Sequence, residues 1–235
     1  MPALVPSFVG FGDKALPFFR ALGFHQTREW FQDNRDLYDQ HILGPLQAFI
    51  TDLSDACARH DLPLKGTPKS SIFRIHRDVR FARDKSPYKT HAGAVLTRSG
   101  AKNDQGLFYI HISPEGCFAA TGFYDLDPRQ LAAFRQAILA APARFRAMQA
   151  ALSEAGYAFD PQWSLKRPPR EAQGVTDTDL IAALKLKSMV VKHVIPDADI
   201  AGAGLVPECI RFIEMTRPLL DYGWAILAEL EPARS

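Results

Sequence analysis

In four segments between residues 71 and 124, apolar side chains recur at every second position; on either side of them they recur at every third or fourth. A period of two places alternate side chains on opposite faces of an extended chain, whereas a period of 3.6 lines them along one stripe of a helix. The middle of this chain must therefore supply a sheet and its ends must supply helices. The four segments are 71–81, 90–97, 107–112 and 117–124, with Ser113-Pro114-Glu115-Gly116 as a hairpin turn between the last two. Their short connections favour antiparallel neighbours, because a parallel return needs a crossover of about a dozen residues. The expected fold is α+β: a mixed, mainly antiparallel sheet packed with helices on one side and at both chain ends.

The helical readings rest on caps and breaks. Residues 13–24 carry Ala15, Leu16, Phe18, Phe19 and Leu22, with Gly23 as the stop. Gly10-Phe11-Gly12 before them reads as a turn. Thr27 is an N-cap for a helix beginning Arg28-Glu29-Trp30, and Gly44-Pro45 should interrupt it before a second helix over 46–59. Asp127-Pro128 pairs a cap with proline at the first helical position and opens a helix to about 139. Pro142 opens the next, Asp177 caps a short one to about 184, 188–194 reads as a fifth strand, and Pro207 opens the last helix, with Pro218 inside it. No repeat or shift in composition marks a linker, so a single domain over 1–235 is expected.

Several function classes fall away. No apolar run reaches 18 residues, so no membrane span is expected. The segment Met1 to Arg20 lacks a basic start followed by an apolar run, and Asp13 and Lys14 interrupt it, which argues against an export signal. Cys57, Cys117 and Cys209 are isolated and form no CxxC pair, as fits a reducing, cytoplasmic setting. There is no Gly-rich phosphate loop ending in Lys-Ser/Thr, no GxGxxG, no HExxH and no GxSxG. Nothing names a cofactor or an oligomeric state.

Charge is informative only in its distribution. The net charge is +2, yet residues 65–102 hold ten Lys or Arg against Asp78 and Asp84 alone. Such a segment attracts a small phosphate or carboxylate, or a nucleic acid backbone, unless its charges are consumed in local ion pairs. The low net charge and the lack of a nucleic-acid motif favour the small anion.

Within this segment, Phe73, Ile75, Val79 and Phe81 alternate with Arg74, His76, Asp78 and Arg80; Arg77 is the exception on the apolar side. On a strand the second set forms one polar row. Guanidinium forks suit phosphate or carboxylate, with Asp78 orienting an arginine. The expected anion site is this polar sheet face: Arg74 and Arg80 grip the ligand, Lys85 and Lys89 stand at its edge on the turn opened by Asp84, and Arg77, Asp84, Tyr88 and His91 complete the candidate ligand-binding set. An imidazole titrates near neutrality, so His76 or His111, with Asp78, is a candidate acid or base of a hydrolase or transferase. His76, His91 and His111 can converge if their strands are neighbours, but their spacing lacks the short pairs typical of a metal site, and no metal is expected. The competing structural reading pairs Asp78 with Arg77 or Arg80 and Asp84 with Lys85 or Lys89, fixing a turn.

The whole run from Ser70 to His91 resembles the hallmark of a family of bacterial and fungal conserved hypothetical proteins, a domain of unknown function: RI-x-RDxRF-x-x-DKSPYKTH. Phe8 to Gly12, Arg28 to Phe31, Tyr109 to Ser113, Leu165 to Arg167 and Leu184 to Ser188 resemble further landmarks of it, in order. The chain departs at His25-Gln26-Thr27, where the family commonly has an Asn-Asn pair, and in the loop after Arg167, where it commonly has Pro-x-Gly. The resemblance implies a single-domain α+β fold and no particular activity.

Overall fold

A computed structural model describes residues 7–230. The opening of the segment read above for an export signal, Met1 to Pro6, lies outside the described residues. Half the chain is helical. The elements run α1 (Ala15–Phe24), α2 (Arg28–Asp33), α3 (Arg35–Tyr38), α4 (Gly44–Arg59), α5 (Pro68–Ser71), β1 (Ala92–Thr97), β2 (Leu107–Ile112), β3 (Cys117–Phe123), α6 (Pro128–Ala140), α7 (Pro142–Glu154), α8 (Thr178–Leu184), β4 (Met189–Ile195) and α9 (Leu205–Ala228). The strands form one antiparallel sheet in the order β1-β2-β3-β4, so the α+β expectation holds. Among the described residues no helix is long and apolar enough to cross a membrane.

The chain divides into two compact units. The first comprises the chain through Asp104, Phe108–Ala119 and Val194–Arg211; the second comprises Gln105–Leu107, Ala120–His193 and the chain from Phe212.

In the first unit, α1 buries the five apolar residues of its stripe and α4 buries Leu46, Phe49, Ile50, Leu53 and Cys57. Each large side chain withdrawn in this way contributes roughly 1.5–3 kcal/mol. The turn before α1 is more demanding than its sequence implies. Phe11 is buried and its N–H donates to the Ile200 carbonyl at 2.9 Å. Gly10, at φ +114°, lies against the Ala201 carbonyl so closely that an added Cβ would come within 1.9 Å of that oxygen. Gly44-Pro45 does not interrupt the helical path. A π-turn over Asp39–Leu43 carries α3 into α4, and Pro45 lies in the first turn of α4. Gly44 remains helical ahead of proline because it has no Cβ to strike the pyrrolidine ring.

In the second unit the caps fall where the sequence places them. Asp127 and Gln130 form a reciprocal capping box at α6, and Asp177 accepts from Asp179 and Leu180 at the start of α8. Arg135 of α6 is buried; its Nε donates to the Leu184 carbonyl at 3.1 Å and its Nη1 meets Glu171 at 3.2 Å. Gly223 of α9 lets Phe123 press onto the helix, since a Cβ there would stand 2.2 Å from the ring.

One expected strand is absent. Ser71 ends α5, and residues 72–81 make only isolated bridges, Ile72 with Ala94 and His76 with Tyr88. Arg77 donates to Pro87 and Lys89 donates to Ile75, and Pro87 has no N–H to carry the ladder onward. Tyr88 spends its own N–H on the Gln26 side chain at 3.0 Å. The alternation also fails at its end, where Phe81 is 96% exposed.

Candidate functional site

Residues 72–89 thus form an irregular two-armed excursion in the first unit, with its tip at 78–86. Both carboxylates of the tip are paired with arginines. Arg80 grips Asp78 through two hydrogen bonds, Nε–Oδ1 at 3.0 Å and Nη2–Oδ2 at 2.7 Å, and Arg77 pairs with Asp84. Lys85 donates to the Val79 carbonyl at 2.9 Å. Asp84 accepts from the Ser86 hydroxyl at 2.6 Å and from its N–H at 2.9 Å; these bonds, followed by Arg77, hold its carboxyl well below the usual carboxylate range. The Arg80 hydrogen bond likewise lowers Asp78. Arg77, Asp78, Arg80, Asp84 and Lys85 are therefore engaged with one another or with backbone. They form no row with Arg74 and His76, because the segment is not a ladder strand.

Arg74, His76 and Lys89 stand at the base of the arms, where they line a cleft of about 540 Å³. Arg35, Lys102, Gln47, Phe31, Tyr38, Leu43, Phe73 and Ile75 complete most of its wall, and among the described residues no carboxylate lines it. Arg35 is paired with Asp39 at 2.8 Å. Lys102 donates to the Ile72 carbonyl, and the ammonium groups of Lys89 and Lys102 stand 5.6 and 5.5 Å from the centre of the Phe73 ring. Burial, and then the charges of Arg74 and Lys102, push the Lys89 ammonium below its ordinary value. The Phe31 ring closes one side, stacked on buried Tyr88 at 4.4 Å, with His76 edge-on to it at 6.2 Å.

The histidines divide. His91 and His111 lie 4.5 Å apart, His111 is stacked on Phe118 at 4.7 Å, and the Tyr109 hydroxyl is 2.9 Å from His111 Nδ1. Tyr109 reaches this position because Gly93 leaves room beneath it; a Cβ there would meet the hydroxyl at 2.7 Å. Burial, followed by Lys89, lowers His91, and Glu115 opposes the shift. His76 is separate, packed against Phe31 and Tyr88. Among the described residues no group of three His, Cys, Asp or Glu could hold a metal ion. Burial raises the Cys57 thiol to about 12 and Cys209 well above its ordinary value, so neither supplies a thiolate.

The profile of a family of conserved hypothetical proteins, DUF2461, matches residues 14–222. The chain belongs to the DUF2461 family. No curated protein and no solved structure matches it. In this DUF2461 member the matched span contains the cleft, the tip and the histidine pair. The departure at His25-Gln26-Thr27 is built into the same region: Thr27 caps α2, His25 stacks on Trp30, and Gln26 fixes Tyr88. Sequence reasoning singled out Arg74, His76 and Lys89 but missed Lys102, Arg35 and Tyr109. Lys102 was legible only as one charge in the basic segment, and nothing local distinguishes Arg35 from a solvated helix residue.

Proposed function

We propose that this DUF2461 protein binds a small phosphate- or carboxylate-bearing ligand, and that the ligand occupies the cleft between Arg74, Lys89 and Lys102. The observation that carries the reading is the crowding of three cations with no carboxylate among the described lining residues. Like charges held together in a partly desolvated site raise one another's energy, and an anion relieves that cost. Asp78 is committed to Arg80, so it does not neutralise the cleft. Arg80, Arg77 and Lys85 shape the tip and make no contact with the ligand. Three free, buried cysteines fit a cytoplasmic setting.

Thermal unfolding measured across phosphate, sulfate, acetate and a panel of nucleotides tests this. The wild type should be stabilised by at least one of them. Arg74→Ala and Lys102→Ala should lose that response while keeping most of their apo stability, and Arg80→Ala should retain it. A response that survives both cleft substitutions would overturn the reading.

A second reading has one observation in its favour: His76 lines the same cleft. A hydrolase or transferase would use it as acid or base beside cations that stabilise developing negative charge. His76→Asn would then abolish turnover of a bound phosphate ester and leave its binding in place.

A further inference from the structure

The charge and the shape of the cleft narrow the ligand further, on the reading that the cleft takes an anion. Its cationic lining is Arg74, Lys89 and Lys102, with Arg35 paired with Asp39. A single carboxylate would leave two of the three charges uncompensated. A phosphate monoester carries close to two negative charges at neutral pH and offers three acceptor oxygens. A guanidinium can grip two of those oxygens while ammonium groups serve as point charges for the rest. Phe73 helps to fix the ammonium pair, since both stand within cation–π distance of its ring.

The rest of the wall does not suit a bare oxyanion. Leu43, Pro68, Ile72 and Ile75 line it together with Phe31 and Tyr38. A volume of about 540 Å³ is the size of pockets that take whole organic ligands, in which apolar walls bury the body and a few polar groups orient it. Tyr38 is itself buried, its hydroxyl pushed up to about 12, so it adds a neutral wall and no charge.

We propose that the cleft recognises a phosphate monoester with an apolar body, its phosphoryl group among Arg74, Lys89 and Lys102 and its body along Leu43, Pro68, Ile72 and Ile75. The arrangement discriminates twice: dianion over monoanion at the cations, and apolar over hydroxylated body along the aliphatic wall.

Isothermal titration of the full chain with inorganic phosphate, phenyl phosphate, glycerol phosphate and benzoate tests both choices. Phenyl phosphate should bind at least about tenfold more tightly than inorganic phosphate, as expected when a ring leaves water, and more tightly than glycerol phosphate or benzoate. Leu43→Asn should erase the preference for the phenyl ester and leave inorganic phosphate within about twofold of its wild-type affinity. Equal affinity for inorganic and phenyl phosphate would overturn the apolar-body assignment while leaving the anion site intact. Tighter binding of benzoate than of phenyl phosphate would overturn the dianion assignment. Failure of every anion to bind would remove the anion reading itself. The wild-type ligand series decides between these outcomes even if the variant does not fold.

Discussion

At the scale of single residues, the same side-chain types do opposite work a few positions apart. Arg80 and Arg77 are paired with Asp78 and Asp84, whereas Arg74 faces a cleft with no acid among the described residues of its wall. The sequence RIxRDxRF does not distinguish them, because the pairing depends on how 78–86 folds back. His91 shows how burial makes a residue pH-sensitive. It faces His111, Lys89 and Glu115, and its proton affinity in the folded state lies below the ordinary histidine value. The unfolded chain therefore binds this proton more readily. The stability His91 contributes is present above about pH 6.5 and is lost as pH falls from there through its lowered folded value. Urea unfolding of the wild type should show this fall, and His91→Gln should flatten it. Parallel profiles for the two proteins would refute the assignment.

At the scale of elements, what could be read from the sequence was local. Thr27, Asp127 and Asp177 cap their helices as their types demand, since a side-chain oxygen reaches an orphan N–H within three residues. The hairpin of β2 and β3 was equally legible. The segment 71–81 was not: its alternation is real, but Pro87 has no N–H to return the bond from Arg77, and the pairs Arg77–Asp84 and Arg80–Asp78 turn the tip upon itself. The Gly10-Phe11-Gly12 turn is legible in the sequence but its constraint is not, because the Ala201 backbone it abuts comes from near the other end of the chain. Gly10→Ala should cost about 1–3 kcal/mol from its backbone conformation alone, with the clash in addition. Gly12→Ala, whose new carbon meets nothing, should cost only about 1–2 kcal/mol. Equal losses in urea unfolding would contradict this account of the turn.

At the scale of the whole molecule, the basic segment does not behave as one surface. Its tip is occupied by ion pairs and its base frames a cleft with Arg35, Leu43 and Gln47, residues drawn from helical segments far earlier in the chain. A composition count sees ten cations in one segment; only the fold separates those paired with Asp78 and Asp84 from those that line the cleft. That separation lends more support to a small anion than to a polyanion, which needs a continuous run of available charge. The histidine pair lies in the same unit, and Tyr109 links it edge-on to Phe73 of the cleft wall at 6.2 Å. The most direct test of the central claim is to soak tungstate, a heavy phosphate mimic, into crystals of the protein and map its anomalous scattering. The account predicts the strongest peak between Arg74, Lys89 and Lys102. Peaks confined to the 78–86 tip, or an empty cleft beside occupied sites elsewhere, would contradict it.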